Sequence, residues 1–171
     1  METKINKILL NTIKLGDLNL RNRFVMAPLT RMRAENNLGI PNEMHVKYYS
    51  ERAKESGFVI TECASPTEFG NSFPGACGIW NKQQVEGWKK VCDAVHAENG
   101  KIFLQMFHCG RAGLKEILGK DPVAPSKVKN RHPARKGNQW GEYEIPEELT
   151  ENEILEIVAQ FKMGAEYAKE A

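Results

Sequence analysis

Three segments of this sequence start apolar and end in small, polar or hydrogen-bonding residues: Phe24-Val-Met-Ala-Pro-Leu-Thr30-Arg31, Phe58-Val-Ile-Thr-Glu62-Cys63 and Lys101-Ile-Phe-Leu-Gln105-Met-Phe-His108. A strand covered on both faces loses the apolar–polar alternation of a half-exposed one, so the apolar parts predict buried parallel strands. In a barrel of βα units, the C-terminal strand ends are where chemistry is done. The polar ends of the three segments therefore predict one shared cofactor site.

Helical patterns alternate with these strands. Residues 11–23 alternate apolar and polar around Gly16-Asp17, which predicts a small hairpin before the first core strand. After a polar loop from Met32 to Ile40, Asn42 is the expected N-cap of a helix with Val46, Tyr49 and Ala53 on one face and Gly57 just past its end. A Gly/Pro/Ser loop over residues 65–80 leads to a second helix. Its start is marked by Asn81 and Gln84 at capping-box spacing, its buried stripe by Val85, Trp88, Cys92 and Val95, and its end by Gly100. A third helix starts at another capping box, Thr150 to Glu153, with Ile154, Val158, Phe161, Ala165 and Ala168 predicted to face inward. The stretch of about forty residues between His108 and Leu149 has little pattern, where connections of roughly 4–6 residues are usual. A hairpin and about three βα units make an α/β fold, a partial (β/α)8 barrel, since a full one takes roughly 250 residues and eight strands. The sheet of three strands has an open edge, which makes association through that edge an expectation.

Composition narrows the classes of function. The 171 residues are 41% hydrophobic and 27% charged with a net charge of +2, which gives no general pull toward nucleic acid or membrane. The longest apolar run is about six residues, far short of the roughly 20 that span a bilayer. The start, Met1-Glu-Thr-Lys-Ile-Asn-Lys, lacks the apolar core of a signal peptide, so a cytoplasmic location is expected. Cys63, Cys77, Cys92 and Cys109 form no C-x-x-C, and His45, His96, His108 and His132 show no metal spacing. Reduced thiols filling small spaces, and no metal, are expected. The basic run Lys127, Lys129, Arg131, His132, Arg135 and Lys136 either grips a nicotinamide phosphate or faces the acidic stretch Glu142, Glu144, Glu147 and Glu148 as a solvated loop; the second is the commoner arrangement. Trp80 and Trp88 are expected in the core or beneath the second loop.

Seven landmarks then occur in order: Ala27-Pro-Leu-Thr-Arg-Met-Arg33, Tyr48-Tyr-Ser-Glu-Arg-Ala53, Ile60-Thr-Glu62, Gly78-Ile-Trp80, Trp88 through His96, Gln105-Met-Phe-His-Cys-Gly-Arg111 and Pro122-Val-Ala-Pro-Ser126. In these the chain resembles the old yellow enzyme family, the FMN-dependent NAD(P)H:enone oxidoreductases that include 12-oxophytodienoate reductases. The resemblance implies FMN as cofactor, NAD(P)H as hydride donor and a small-molecule enone as substrate. Pro28, Leu29 and Thr30 match the segment that wraps the flavin, with the Thr30 hydroxyl near the flavin C4 carbonyl and N5. A donor there stabilises the negative charge of reduced flavin. Cys63 stands where relatives carry Gly or Ala against the flavin. Gln105 matches the amide that reads the pyrimidine edge, where only Asn or Gln can donate and accept with one side chain. Phe107 stands where many relatives have Trp and shapes the substrate pocket. His108 and Arg111 match a turn in which Arg111 anchors the loop. The family's substrate-orienting His/Asn pair, proton-donating Tyr, later flavin-binding Arg and phosphate loop correspond to positions beyond residue 171, so no catalytic residue is assignable.

Other readings remain beside this one. Glu62 is a general base or, more in keeping with its strand end, a structural acceptor for loop amides. The chain is the N-terminal portion of one barrel whose C-terminal half is absent, inactive by itself. Alternatively it is a truncated relative acting as an interaction module, or a gene-model fragment. A different phosphate-binding α/β protein is disfavoured by the absence of G-x-G-x-x-G and G-x-x-x-x-G-K-[ST].

Overall fold

A computed structural model describes residues 8–34, 38–71 and 73–171, without the Arg135 side chain. The start Met1–Lys7, read above as lacking a signal-peptide core, and part of the 32–40 loop lie outside those residues.

The first two strands, β1 (Ile13–Leu15) and β2 (Leu18–Leu20), form the antiparallel hairpin predicted around Gly16-Asp17. Gly16 takes φ +56°, the left-handed conformation such a tight turn requires. Strand β3 (Val25–Met26) then enters the main sheet parallel to β4 (Phe58–Ser65), with Val25 opposite Phe58. The first core strand is therefore much shorter than the apolar run suggested. Pairing stops before Ala27-Pro28, and a proline has no N–H to give a ladder. From Ala27 to Thr30 the chain runs on as irregular backbone, and it carries the site residues there.

Helix α1 (Glu43–Ala53) starts at Asn42, whose side chain accepts the Met44 N–H at 3.0 Å, while the Asn42 N–H donates to His45 Nδ1 at 3.1 Å. Tyr49 and Ala53 are buried on its inner face. Gly57 does not cap it: the helix ends at Ala53 and Lys54 remains right-handed. A Cβ on Gly57 would lie 2.4 Å from the Asn22 carbonyl oxygen, so glycine is needed where the chain slides past the start of β3. The glycine signal was real, but its reason is close approach rather than a left-handed turn.

The loop after β4 is more ordered than its composition suggested. Within it, β5 (Cys77–Gly78) pairs parallel with Ala64 and Ser65 at the end of β4. Helix α2 (Lys82–Ala97) has the capping box predicted at Asn81 and Gln84. It buries Val85, Trp88, Val91 and Val95, whereas Cys92 is only half-buried, one position off the stripe. The left-handed residue after the helix is Asn99, at φ +54°, not Gly100. Gly100 is small for another reason: a Cβ there would come within 2.8 Å of the Ala53 Cβ on α1.

Strand β6 (Ile102–Met106) pairs parallel with the opposite edge of β4. Ile60 faces Phe103 and Cys63 faces Gln105, so β4 carries one extra residue between them. This bulge places Cys63, rather than Glu62, across from Gln105. The Thr61 hydroxyl bridges it, accepting the Gln105 N–H at 3.1 Å and donating to the Glu62 carbonyl at 2.7 Å.

The connection from His108 to Leu149 is not patternless. It contains the short helix α3 (Lys115–Leu118), strand β7 (Val123–Ala124), an antiparallel hairpin of β8 (Ala134–Lys136) and β9 (Gln139–Gly141), and β10 (Glu147–Glu148), which pairs parallel with β7. Strands of two or three residues are too short for a period to show. Arg111 ties this excursion to the turn after β6, donating to Ser126 Oγ at 3.3 Å and to the Val128 carbonyl. The basic run meets the acidic stretch, with Lys127 against Glu147 at 2.9 Å, Lys136 against Glu144 at 2.6 Å, and Lys129 paired with Glu142.

Helix α4 (Glu151–Glu170) has its predicted Thr150 cap; of its expected inner face, Ala168 packs against the core and Phe161 is half-buried, but the other three residues are not. Gly164 is the buried residue, its Cβ position 3.0 Å from Pro66 and 3.2 Å from Met106 Sδ. Tyr167, Ala168 and Ala171 pack toward the core, while Ile154, Val158 and Ala165 are exposed. The cause is the glycine: the helix approaches the sheet most closely where it has no side chain, and that selects the face around Gly164. Among the described residues, no helix is long and apolar enough to cross a membrane.

Candidate functional site

Thr30, Cys63 and Gln105 sit at the C-terminal ends of three neighbouring parallel segments. Thr30 Oγ1 lies 3.0 Å from Cys63 Sγ, and Cys63 is in register with Gln105. Thr30 and Gln105 are half-buried and Cys63 is 7% exposed. Among the described residues the Gln105 side-chain amide has no hydrogen-bond partner, so its donor and acceptor are both available to a ligand. Pro28 is half-buried, Leu29 is exposed, and Phe107 is half-buried one residue past β6, its N–H donating to the Ala64 carbonyl at 3.1 Å. A separate cleft of about 460 Å³, lined by Phe69, Phe73, Trp80 and Leu118, contains none of these residues.

Directly behind the strand ends is a buried polar cluster that pattern reading missed. Glu62 is wholly buried. One carboxylate oxygen accepts the Arg31 N–H at 3.0 Å; the other accepts the Tyr49 hydroxyl at 3.2 Å and lies 3.4 Å from His45 Nε2. The Tyr49 oxygen in turn accepts the Glu62 N–H at 2.7 Å. Cys77 Sγ completes the chain, 3.4 Å from His45 Nε2. Glu62 thus takes the structural role, holding the backbone beside Thr30. The signal available in the sequence was the helical spacing of His45 and Tyr49, which puts both on one face of α1.

Burial decides the ionisation of this cluster. It raises the Glu62 carboxyl above its ordinary value against the pull of the Arg31 N–H and the Tyr49 hydroxyl, and it raises the Cys77 thiol strongly. It lowers the His45 imidazole to about 4. His45, Glu62 and Cys77 present ligand atoms within 4.8 Å of one another, a spacing that a cation could bridge. Binding would require Cys77 to give up a proton that desolvation holds in place. The cluster is better described as a hydrogen-bonded core joining α1, β4 and β5. At the other strand end, the His108 ring is held below its usual value by burial and by Lys120, and its Nδ1 accepts the Gly110 N–H at 3.0 Å.

A pH dependence follows. Between its unfolded value near 6.5 and its folded value of about 4, His45 takes up a proton in the unfolded chain but not in the native one. Its contribution is therefore lost as pH falls through that window, on the order of 3 kcal/mol at the acid end. Glu62 acts in the opposite sense: its raised pKa makes protonation in the native state favourable above the unfolded carboxylate value, so acidification there relieves a cost. In His45→Gln, unfolding free energies measured from pH 7 to pH 4 should lose the destabilising acid limb. A slope unchanged from wild type would mean that His45 titrates normally in the fold.

Residues 9–171 are matched by the model of one family, the NADH:flavin oxidoreductase / NADH oxidase family. This chain belongs to that family. Among the flavin oxidoreductases it is 35% identical to the flavin oxidoreductase hxnT of Emericella nidulans, over 95% of this chain and 43% of the relative. It is also 35% identical to 12-oxophytodienoate reductase 2 of Arabidopsis thaliana, over 99% of this chain and 46% of the relative. Among solved structures, the old yellow enzyme homologue from Zymomonas mobilis superposes with a TM-score of 0.88 at 33% identity, over 95% of this chain and 45% of the other. Morphinone reductase in complex with tetrahydroNAD superposes at 0.85 and 34% identity, over 94% and 46%. The fold is therefore part of an old yellow enzyme (β/α)8 barrel, and the chain spans less than half the length of these relatives. FMN is the cofactor that defines the flavin oxidoreductases, and a nicotinamide analogue is bound in the morphinone reductase complex. The residues present here fit part of an FMN site: an amide at Gln105, unpartnered among the described residues, and a hydroxyl at Thr30, on the segments of the two strands that flank β4.

Proposed function

We propose that residues 1–171 are the N-terminal portion of a single (β/α)8 barrel that binds FMN at its strand ends and works as an NAD(P)H-dependent ene-reductase. The reading rests on one observation above the others: Thr30 Oγ1 touches Cys63 Sγ at 3.0 Å, and Cys63 stands in register with Gln105 on the neighbouring parallel strand. Bound FMN would supply hydride transfer from NAD(P)H to the C=C bond of an α,β-unsaturated carbonyl. The residues of this chain bind and tune. The Gln105 amide would hold FMN by donating to and accepting from its pyrimidine edge, and the Thr30 hydroxyl would donate to the ring system and favour negative charge there. Pro28 and Leu29 would help to hold the ring, and Phe107 would shape the pocket for the substrate. Glu62 keeps the Thr30 segment in place through the Arg31 N–H.

A second reading, association through the sheet edge, is favoured by exposed apolar side chains on the strands. Phe24, Val25 and Phe103 are each more than 40% exposed, and Ile154, Leu155 and Val158 add an apolar stripe on α4. These surfaces suit the remaining strands and helices of a barrel.

Titrating the 171-residue chain into FMN should give a saturable shift of the flavin visible band. Gln105→Ala should weaken binding about tenfold, the equivalent of roughly 1.4 kcal/mol. Enone-dependent NADPH oxidation should be undetectable until the remaining part of the barrel is supplied. An FMN spectrum unchanged at saturating protein would remove flavin binding from this chain's function and leave the edge-association reading.

A further inference from the structure

Two consecutive residues of β4 hold Thr30 from two sides. The Glu62 carboxylate fixes the backbone that follows it, through the Arg31 N–H at 3.0 Å. Cys63 meets the side chain, with Sγ 3.0 Å from Thr30 Oγ1. The bulge in β4 falls between Ile60 and Cys63, so Glu62 lies in it and Cys63 follows it.

A hydroxyl has one proton and two lone pairs, so the Thr30–Cys63 contact has two forms. If Thr30 donates to sulfur, its proton is consumed inside the protein. If the thiol donates to Thr30, the hydroxyl proton is free to point out of the strand end. Burial holds the Cys63 thiol above its ordinary value, so the S–H is present at neutral pH. Sulfur is also a weak acceptor, a poor destination for a hydroxyl proton compared with an oxygen or nitrogen acceptor on a ligand. Hydrogen bonds in series polarise one another, so an S–H that donates into Oγ1 strengthens the O–H as a donor.

We propose that Cys63 is a positioning residue for Thr30: its S–H donates to Thr30 Oγ1 and turns the hydroxyl proton outward, toward an acceptor bound at the strand ends. Where that acceptor is FMN, which rests on the function proposed above, the pair sets how strongly the site favours the reduced flavin. Alanine or glycine at this position offers no donor, so a chain with Cys63 holds reduced flavin more tightly than its Cys63→Ala variant. No covalent chemistry of the thiol is involved.

The orientation is tested without any flavin. The S–H stretching band of Cys63, isolated as the infrared difference between wild type and Cys63→Ala, should lie at the lower frequency of a hydrogen-bonded donor. In Thr30→Val, which keeps the shape and removes the acceptor, it should move to the frequency of an unbonded thiol. A band that stays in place on Thr30→Val would overturn the inference, since the thiol would not be donating to Thr30. The second readout is the ratio of affinities for reduced and oxidised FMN. Cys63→Ala should lower that ratio about threefold, Cys63→Ser should restore it, and in a Thr30→Val background Cys63→Ala should change nothing. An equal effect of Cys63→Ala in both backgrounds would mean that the residue acts on flavin without Thr30, and would also overturn the inference. A Thr30-sensitive band in a chain that takes up no FMN would support the orientation and sink the flavin reading instead, so the two failures are distinct.

Discussion

Trp88→Ala should be the most damaging single substitution in this chain. The indole is 1% exposed on α2, and its Nε1–H donates to the Gly78 carbonyl at 2.9 Å. Its ring lies 6.2 Å from that of Tyr49, so it joins α1, α2 and β5 in one contact. Emptying a buried aromatic site costs about 3–5 kcal/mol, and the orphaned carbonyl adds roughly 1 kcal/mol or more. Set against the 5–15 kcal/mol that holds a typical domain, the variant should be largely unfolded near room temperature or melt in the lowest urea range. Trp88→Phe separates the two causes, keeping most of the packing and losing only the donor, at about 1–2 kcal/mol. Urea unfolding of both variants is the measurement. A loss below about 2 kcal/mol in Trp88→Ala would show that the ring does not anchor the core.

Tyr49→Phe should be nearly as costly, although it removes a single oxygen. That oxygen accepts the Glu62 N–H and donates to the Glu62 carboxylate, all of it buried. Two polar groups lose a partner at once, an expected cost of about 2–4 kcal/mol. Without the hydroxyl, the Glu62 pKa should rise further than burial already raises it. A group whose folded pKa is raised loses stability as pH climbs through that value, so the penalty should be larger at pH 8 than at pH 5. The same slack should reach the site. Glu62 also holds the Arg31 N–H, and hydrogen exchange at the Arg31 and Glu62 amides should accelerate together. Faster exchange at Glu62 with Arg31 unchanged would separate the core network from the Thr30 segment.

Local signals carried much of the architecture. The capping boxes at Asn81 and Thr150 and the Asn42 cap are chemistry between residues three apart, and they stand where the spacing put them. Strand identity was equally local, because a strand covered on both faces must be apolar along its length. The candidate site residues were named from a resemblance carried by seven motifs; of these, the structure puts Thr30 in contact with Cys63 and Cys63 in register with Gln105. Glycine was legible as a residue type and not as a reason: Gly57 and Gly100 looked like helix stops but are points of close packing.

The sequence by itself determined the hairpin, the alternation of the three main strands with the three long helices, the starts of those helices and the family, because each depends on neighbours along the chain or on residue types at fixed spacing. Only the tertiary structure decided which side of α4 is buried, where β3 stops, and how Glu62 is used. The inner face of α4 depends on how closely Gly164 approaches Pro66 and Met106. The Glu62 network joins residues from α1, β4, β5 and the Arg31 loop. A one-residue bulge in β4 chooses Cys63 as the partner of Gln105 and, through Sγ, of Thr30. No periodicity encodes such contacts. They arise where separate elements meet, and their geometry is set by packing between elements that share no local signal.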